Sequence, residues 1–207
     1  MAETYNDYVI KDGRLIGEFE KMYSRFDDPW HQSDKDYNLL SKSRWSTIIN
    51  IQKHKLGSIV EFGCGLGHYT QMISKETAAK VTGVDISPTA VEKARRRYAQ
   101  CDFSVDNVKN MRTYSDRDAV LFAEITWYIL EDLNSVFSEM LDSFRGKYFL
   151  HNLVFYKGSQ RYGREFFTTF DEFAAYCPFK LLEHCVSTTS DPTSTIETSS
   201  IFLIEPK

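Results

Sequence analysis

Residues 59–70, IVEFGCGLGHYT, constrain this chain more than any other stretch. An apolar run ends in a turn with glycine at 63, 65 and 67, and a helix-compatible segment follows at once. A β-strand that delivers the chain into a tight glycine turn and then a helix satisfies that order. Such a turn lets backbone come close to a ligand and present N–H groups to it. The alternation then repeats. Short apolar runs stand at SIVEFG, KVTGVDIS, CDFSVD, DAVLFAE and GKYFLHNLVF, and each but the third is followed by a helix-compatible stretch. HYTQMISKETA, SPTAVEKARRRYAQ and LEDLNSVFSEMLDSF read as the intervening helices, the second with Ser87 as its cap and Pro88 at its first position. This order predicts a doubly wound, mostly parallel sheet.

The two ends read differently. Leu15, Ile16, Phe19, Met22, Tyr23 and Phe26 recur at helical spacing, as do Leu39, Leu40, Trp45, Ile48, Ile49 and Leu56 less regularly, with Pro29 in DDPW breaking the two apart. Near the other end TFDEFAAYC predicts one more helix. FKLLEHCVSTTS and TIETSSIFLIE predict two strands of an antiparallel hairpin joined by SDPTS. With 207 residues and 42% apolar content, one continuous core is affordable. The expected organisation is one compact domain, with residues 1–56 a helical lid and residues 57–207 the core.

Charge narrows the partners. A formal net charge of −4 gives no general basic field for nucleic acid or anionic lipid. Arg95, Arg96 and Arg97 form the nearest thing to a basic run, on a helix face expected to be solvated. No apolar run has the length of a membrane span, and the acidic, polar start lacks the basic and apolar parts of a signal peptide, so a cytoplasmic location is expected. Cys64, Cys101, Cys177 and Cys185 are scattered without a C-x-x-C pair, and neither a metal site nor a disulfide framework is expected.

The glycine spacing separates two kinds of nucleotide site. A dinucleotide fingerprint counted from Gly63 needs glycine at 68, where this chain has His68. A second strand ends at Asp85, about 20 residues beyond the first glycine, where a carboxylate reaches a ribose diol. Together the two stretches resemble the E-x-G-x-G-x-G and V-x-G-x-D motifs of class I methyltransferases dependent on S-adenosylmethionine (SAM), over roughly residues 57–205. The resemblance implies a seven-stranded sheet with a C-terminal antiparallel hairpin, SAM as cofactor and S-adenosylhomocysteine as product. It places Glu61, Gly63, Cys64, Gly65, Gly67 and Tyr69 in the cofactor loop, the glycines beside the methionyl part. It also places Asp85 on the ribose hydroxyls, Ile86 on the adenine, and Asp106 and Asn107 at the adenine amino group.

Residues 123–132, AEITWYILED, follow a strand whose carboxyl end should face the transferred methyl. They are similar to the A-E-x-x-x-Y-x-x-E-D segment of the nodulation methyltransferase NodS and its relatives, in which an early D-P-W, here Asp28, Pro29 and Trp30, also occurs. That likeness implies a small-molecule or glycan acceptor, methylated on nitrogen or oxygen. Glu124 is the first candidate for positioning or deprotonating it, or for binding SAM itself. His151 is the alternative base. Trp30, His31, Trp127 and Tyr128 are candidates for an aromatic wall around acceptor or sulfonium. AEITWY stands where amino-base DNA methyltransferases carry D-P-P-Y or N-P-P-Y, which argues against a DNA acceptor. A protein or lipid-linked acceptor, and a SAM-binding sensor without turnover, remain as rival readings.

Overall fold

In the computed structural model, which describes residues 4–33, 40–188 and 195–207, the alternating runs become one seven-stranded sheet flanked by helices. The chain begins with α1 (Asn6–Val9), the short pair β1 (Ile10–Lys11) and β2 (Arg14–Leu15), and α2 (Phe19–Arg25). Then α3 (Lys42–Lys53) leads into β3 (Ser58–Phe62), α4 (His68–Glu76), β4 (Lys80–Asp85), α5 (Pro88–Arg97) and β5 (Asp102–Val105). A 3-10 stretch, Val108–Tyr114, precedes β6 (Ala119–Ala123), and two 3-10 turns, Thr126–Tyr128 and Leu130–Asp132, precede α6 (Leu133–Phe144). Finally come β7 (Tyr148–Tyr156), α7 (Phe170–Tyr176), β8 (Phe179–Thr188) and β9 (Thr195–Pro206).

The strand order is β5-β4-β3-β6-β7-β9-β8. The first five strands are parallel, and β9 is inserted antiparallel between β7 and β8. Successive residues of a strand face opposite sides of its sheet, so a sheet covered on both sides needs unbroken apolar runs. The central strands show this directly. Val60, Val120, Phe149 and Phe202 enter one core with α6 and α7, while Ile59, Leu121, Leu150 and Ile201 enter the other with α3 and α4. Phe62, Phe122, Phe149 and Phe202 are essentially without exposure. Each such side chain contributes roughly 1.5–3 kcal/mol by leaving water. The cap read at Ser87 is present, its hydroxyl accepting from the Ala90 amide at 3.1 Å with Pro88 at the first position.

Three sequence expectations change. The helix expected from Leu15 to Phe26 begins only at Phe19. Asp12 and Gly13 take φ of 53° and 72°, the two-residue turn that an Asp-Gly pair supports, and Leu15 pairs with Ile10 in a hairpin instead. Ile49, counted in the apolar set of the second helix, is 59% exposed, because α3 covers the sheet with Thr47, Ile48 and Ile51. The stretch after CDFSVD, where no helix was expected, is wound as a 3-10 segment whose Met111 and Tyr114 pack into the core. Leu39 and the SDPTS turn lie outside the described residues.

Candidate active site

The sheet order reverses between β3 and β6, with β4 and β5 on one side and β7 on the other. Loops leaving the carboxyl ends of adjacent parallel strands diverge at such a point and leave a crevice. Here the crevice is a cavity of about 480 Å³, running from Gly63, Gly65 and Asp85 past Ile86, Asp106 and Asn107 to Glu124, Trp127 and Tyr128. Tyr5, Phe19, Tyr23, Trp30 and Gln32 complete its wall from the N-terminal segment.

The glycine turn is built for close approach. Gly63 and Gly65 have φ of 73° and 53°, and a Cβ on either would stand 2.1 Å from Ile125 Cγ2 or 2.6 Å from the Tyr23 hydroxyl. The turn amides face inward. Gly63 N and Cys64 N both donate to Val84 O, at 2.7 and 3.0 Å, Gly67 N donates to Cys64 O, and Gly65 N donates to Asp85 Oδ2 at 2.9 Å. The expectation that this turn offers free N–H groups is therefore corrected at those four positions. The same amides tie β3 to β4 and fix the carboxylate of Asp85, whose Oδ1 accepts from Ser87 N at 2.9 Å. Burial raises the Asp85 carboxyl above its ordinary value, against these amide donors.

At the far end β6 stops because Glu124 turns left-handed, with φ of 65°. Its amide donates to Asn152 O, and its Oε2 accepts from Val154 N at 2.9 Å. The side chain thus takes the place of the carbonyl that a longer β6 would offer β7. Left-handed backbone at a residue with a side chain costs on the order of 1 kcal/mol and clusters where geometry serves function. Burial raises the Glu124 carboxyl to about 7, the Val154 amide and the Arg44 charge lowering it and Glu197 raising it. Glu124 also borders a second hollow, of about 460 Å³, shared with Arg44, Asn152 and Glu197.

Of the other expected site residues, the structure brings Trp30, Trp127 and Tyr128 to the cavity. Trp30 and Tyr128 lie 6.1 Å apart between ring centroids, with Phe19 5.1 Å from Tyr128 and Tyr5 5.1 Å from Trp30. His31 lines the second hollow rather than the first. Asp106 is braced by Asn107 N at 2.8 Å, Asn110 Nδ2 at 2.7 Å and Tyr114 Oη at 3.2 Å. Asn107 caps the 3-10 segment through Lys109 N. Tyr23, Phe19 and Lys109 were missed in the sequence. Two of these sit among helical apolar residues with no motif, and the third is an ordinary surface lysine that pairs with Asp132 across 2.7 Å at the cavity mouth.

Several expected residues stand off the cavity. Cys64 is buried beneath the turn. Gly67 serves packing, since a Cβ there would meet Phe103 at 2.5 Å. Glu61 is buried and accepts from Thr70 Oγ1 at 2.5 Å, bracing β3 to α4, and burial raises its carboxyl to about 7. Tyr69 is buried with its hydroxyl on Arg44 O and Asn152 Oδ1, each at 3.3 Å. His151, the alternative base, is the clearest correction. It is fully buried, stacked 4.1 Å from Phe173, bonded through Nε2 to Thr126 Oγ1 at 2.8 Å, and borders neither hollow.

Residues 59–146 match the family model described as a methyltransferase domain. The fold around them is that of the class I methyltransferases. Trans-aconitate 2-methyltransferase of Escherichia coli (strain 55989 / EAEC) is 27% identical over 95 residues, 45% of this chain and 37% of that protein. The chain thus spans well under half the length of that curated relative. The N-methyltransferase NodS from Bradyrhizobium japonicum WM9, in complex with S-adenosylhomocysteine, shares the fold at a TM-score of 0.68 and 14% identity, covering 90% of this chain and 98% of that one. The PH0226 protein from Pyrococcus horikoshii OT3 does so at 0.67 and 15%, covering 91% and 100%. SAM is the cofactor that the methyltransferase domain implies. The donor set fits it, because the cavity opens on one buried carboxylate at the glycine turn and is walled by aromatic rings.

The buried His151 of β7 carries a prediction. Burial lowers its imidazole from 6.5 to about 3. Between those values the unfolded chain takes up a proton that the folded chain refuses, so this group's contribution to stability falls as pH drops from 6.5 toward 3. Urea unfolding of the parent and of His151→Leu at pH 7 and pH 5 is expected to show the variant gaining on the parent by about 2 kcal/mol over that interval. A difference independent of pH would mean that His151 titrates alike in the folded and unfolded states.

Proposed function

We propose that this chain binds SAM in the cavity and transfers its methyl group to a nitrogen or oxygen of a small-molecule acceptor, with a sugar or glycan intermediate the first class to screen. One observation carries the reading: a single cavity joins the Asp85 carboxylate at the glycine turn to the Glu124 carboxylate at the end of β6. Bound SAM supplies an electrophilic methyl on a sulfonium. Asp85, held rigid by Gly65 N and Ser87 N, keeps lone pairs for the two ribose hydroxyls. Ile86 and Asn107 flank the adenine side, and the faces of Trp30 and Tyr128 suit a positive sulfur. Glu124 accepts the acceptor's proton or fixes its orientation. Holding donor and acceptor in line is itself worth roughly 7–11 kcal/mol of barrier.

The N-terminal segment takes the role of lid in this reading. It contributes Phe19, Tyr23 and Trp30 to the wall, so water is excluded where charge moves. Methyl-labelled SAM, incubated with the protein and separated extract fractions, is expected to label the small-molecule pool. Label confined to protein or lipid fractions would reassign the acceptor. Tight SAM binding with no label in any pool would make the chain a sensor, and failure to bind SAM would overturn the reading altogether.

A further inference from the structure

The glycine turn leaves an amino-acid tail with few partners. Gly63 N, Cys64 N, Gly65 N and Gly67 N are all engaged within the protein. The acidic group nearest the turn, Asp85, is an acceptor and repels another carboxylate. Lys109 is the cation among the described lining residues, and it is paired with Asp132.

Tyr23 supplies what is missing. It belongs to α2, outside the residues matched by the family model, and its ring is 4% exposed. Its oxygen sits over Gly65, 2.6 Å from where a Cβ would be. That oxygen accepts from Trp30 Nε1 at 3.0 Å. An indole nitrogen donates only, so the phenol's own proton has no acceptor among the described residues, and Tyr23 is one of the residues that line the cavity. Burial raises the phenol well above its ordinary value, which keeps that proton in place.

The helix that carries Tyr23 is pinned at both ends to α5. Glu20 accepts from Ser87 Oγ at 2.5 Å, from Thr89 N at 3.2 Å and from Thr89 Oγ1 at 2.5 Å, and Lys93 Nζ donates to Tyr23 O at 2.7 Å and Phe26 O at 3.0 Å. A donor held this way is preorganised for an acceptor at the turn.

We propose that the Tyr23 hydroxyl donates to the carboxylate of the cofactor's amino-acid tail and so selects cofactors that carry that tail. The inference rests on the SAM reading above. A carboxylate is chosen because the tail's ammonium has no lone pair to accept with.

The test compares two ligands on two proteins by calorimetry: S-adenosylhomocysteine, and 5′-deoxy-5′-methylthioadenosine, which has the nucleoside and thioether but no tail. In Tyr23→Phe the ring stays and the donor goes. A hydrogen bond to a charged group corresponds to about 10- to 100-fold in Kd. S-adenosylhomocysteine is expected to weaken by that factor, with methylthioadenosine unchanged, which also reports that the variant's cavity is folded. Equal weakening of both ligands, or no change in either, overturns the role of Tyr23. Wild-type protein that binds neither ligand defeats the SAM reading itself.

Discussion

Asp85→Ala is expected to weaken SAM binding by roughly 30- to 1000-fold, the largest loss of affinity available from one side chain. The carboxylate is 7% exposed and set between Gly65 N and Ser87 N, so its orientation is fixed before any ligand arrives. Alanine removes the acceptor for a ribose diol and at the same time leaves those two amides without theirs. Losing a hydrogen bond to a charged group costs about 1.5–3 kcal/mol and the second ribose hydroxyl adds about 0.5–1 kcal/mol, which gives that range, while the two orphaned amides cost folding stability in free and bound protein alike. Asp85→Asn separates the parts. It keeps an acceptor for one amide and the shape of the side chain, and is expected to lose less, on the order of tenfold. Calorimetric titration of SAM into the three proteins decides. If the alanine variant binds as the wild type does, the cofactor is not held by Asp85.

Replacing Glu124 should strike turnover instead. Glu124→Gln keeps an oxygen for Val154 N and nearly the same volume, so SAM affinity is expected to stay within about threefold, while kcat falls on the order of 10²- to 10⁴-fold if a proton is taken there. The pH profile sharpens the claim. Burial raises this carboxyl from 4.5 to about 7, and a base must be ionised, so the wild-type rate should rise as pH passes through about 7, and the variant should lose that limb. Stability should move the other way. A raised carboxyl favours the protonated folded state, and the wild type gives up stability as pH climbs from 4.5 through about 7. Above that range Glu124→Gln is expected to be the more stable protein, by an amount on the order of 2 kcal/mol in urea unfolding. Equal losses of SAM affinity and turnover would contradict the assignment and leave Glu124 as a structural terminator of β6.

Motifs and periodicity made the central fold legible. The run at residues 59–62, the glycines at 63, 65 and 67 and the acid at 85 each follow from a local demand that the finished structure also makes. His151 misled because a strand alternates faces, and its register against Phe122 sends the ring into the core with Phe173. Cys64, Glu61 and Tyr69 carry the right letters in the right motif, yet they work beneath the turn. Only the tertiary contacts to Thr70, Arg44 and Asn152 show it. Tyr23 was invisible for the opposite reason. Its helical spacing is satisfied by packing alone, and nothing local marks a ring whose hydroxyl reaches Gly65.

The insertion of β9 between β7 and β8 bears on how the protein is made. Strands β3 to β7 can pair as they leave the ribosome, but β8 emerges with no neighbour to receive it, since its partner is still to be synthesised. Until residues 195–206 arrive, the outer edge of β7 is an unpaired strand backed by aromatic core, the kind of surface that recruits other chains. One late segment then closes both edges together. Expression yield in this chain should therefore respond more to pauses and substitutions within β9 than to equal changes in the earlier, already paired strands.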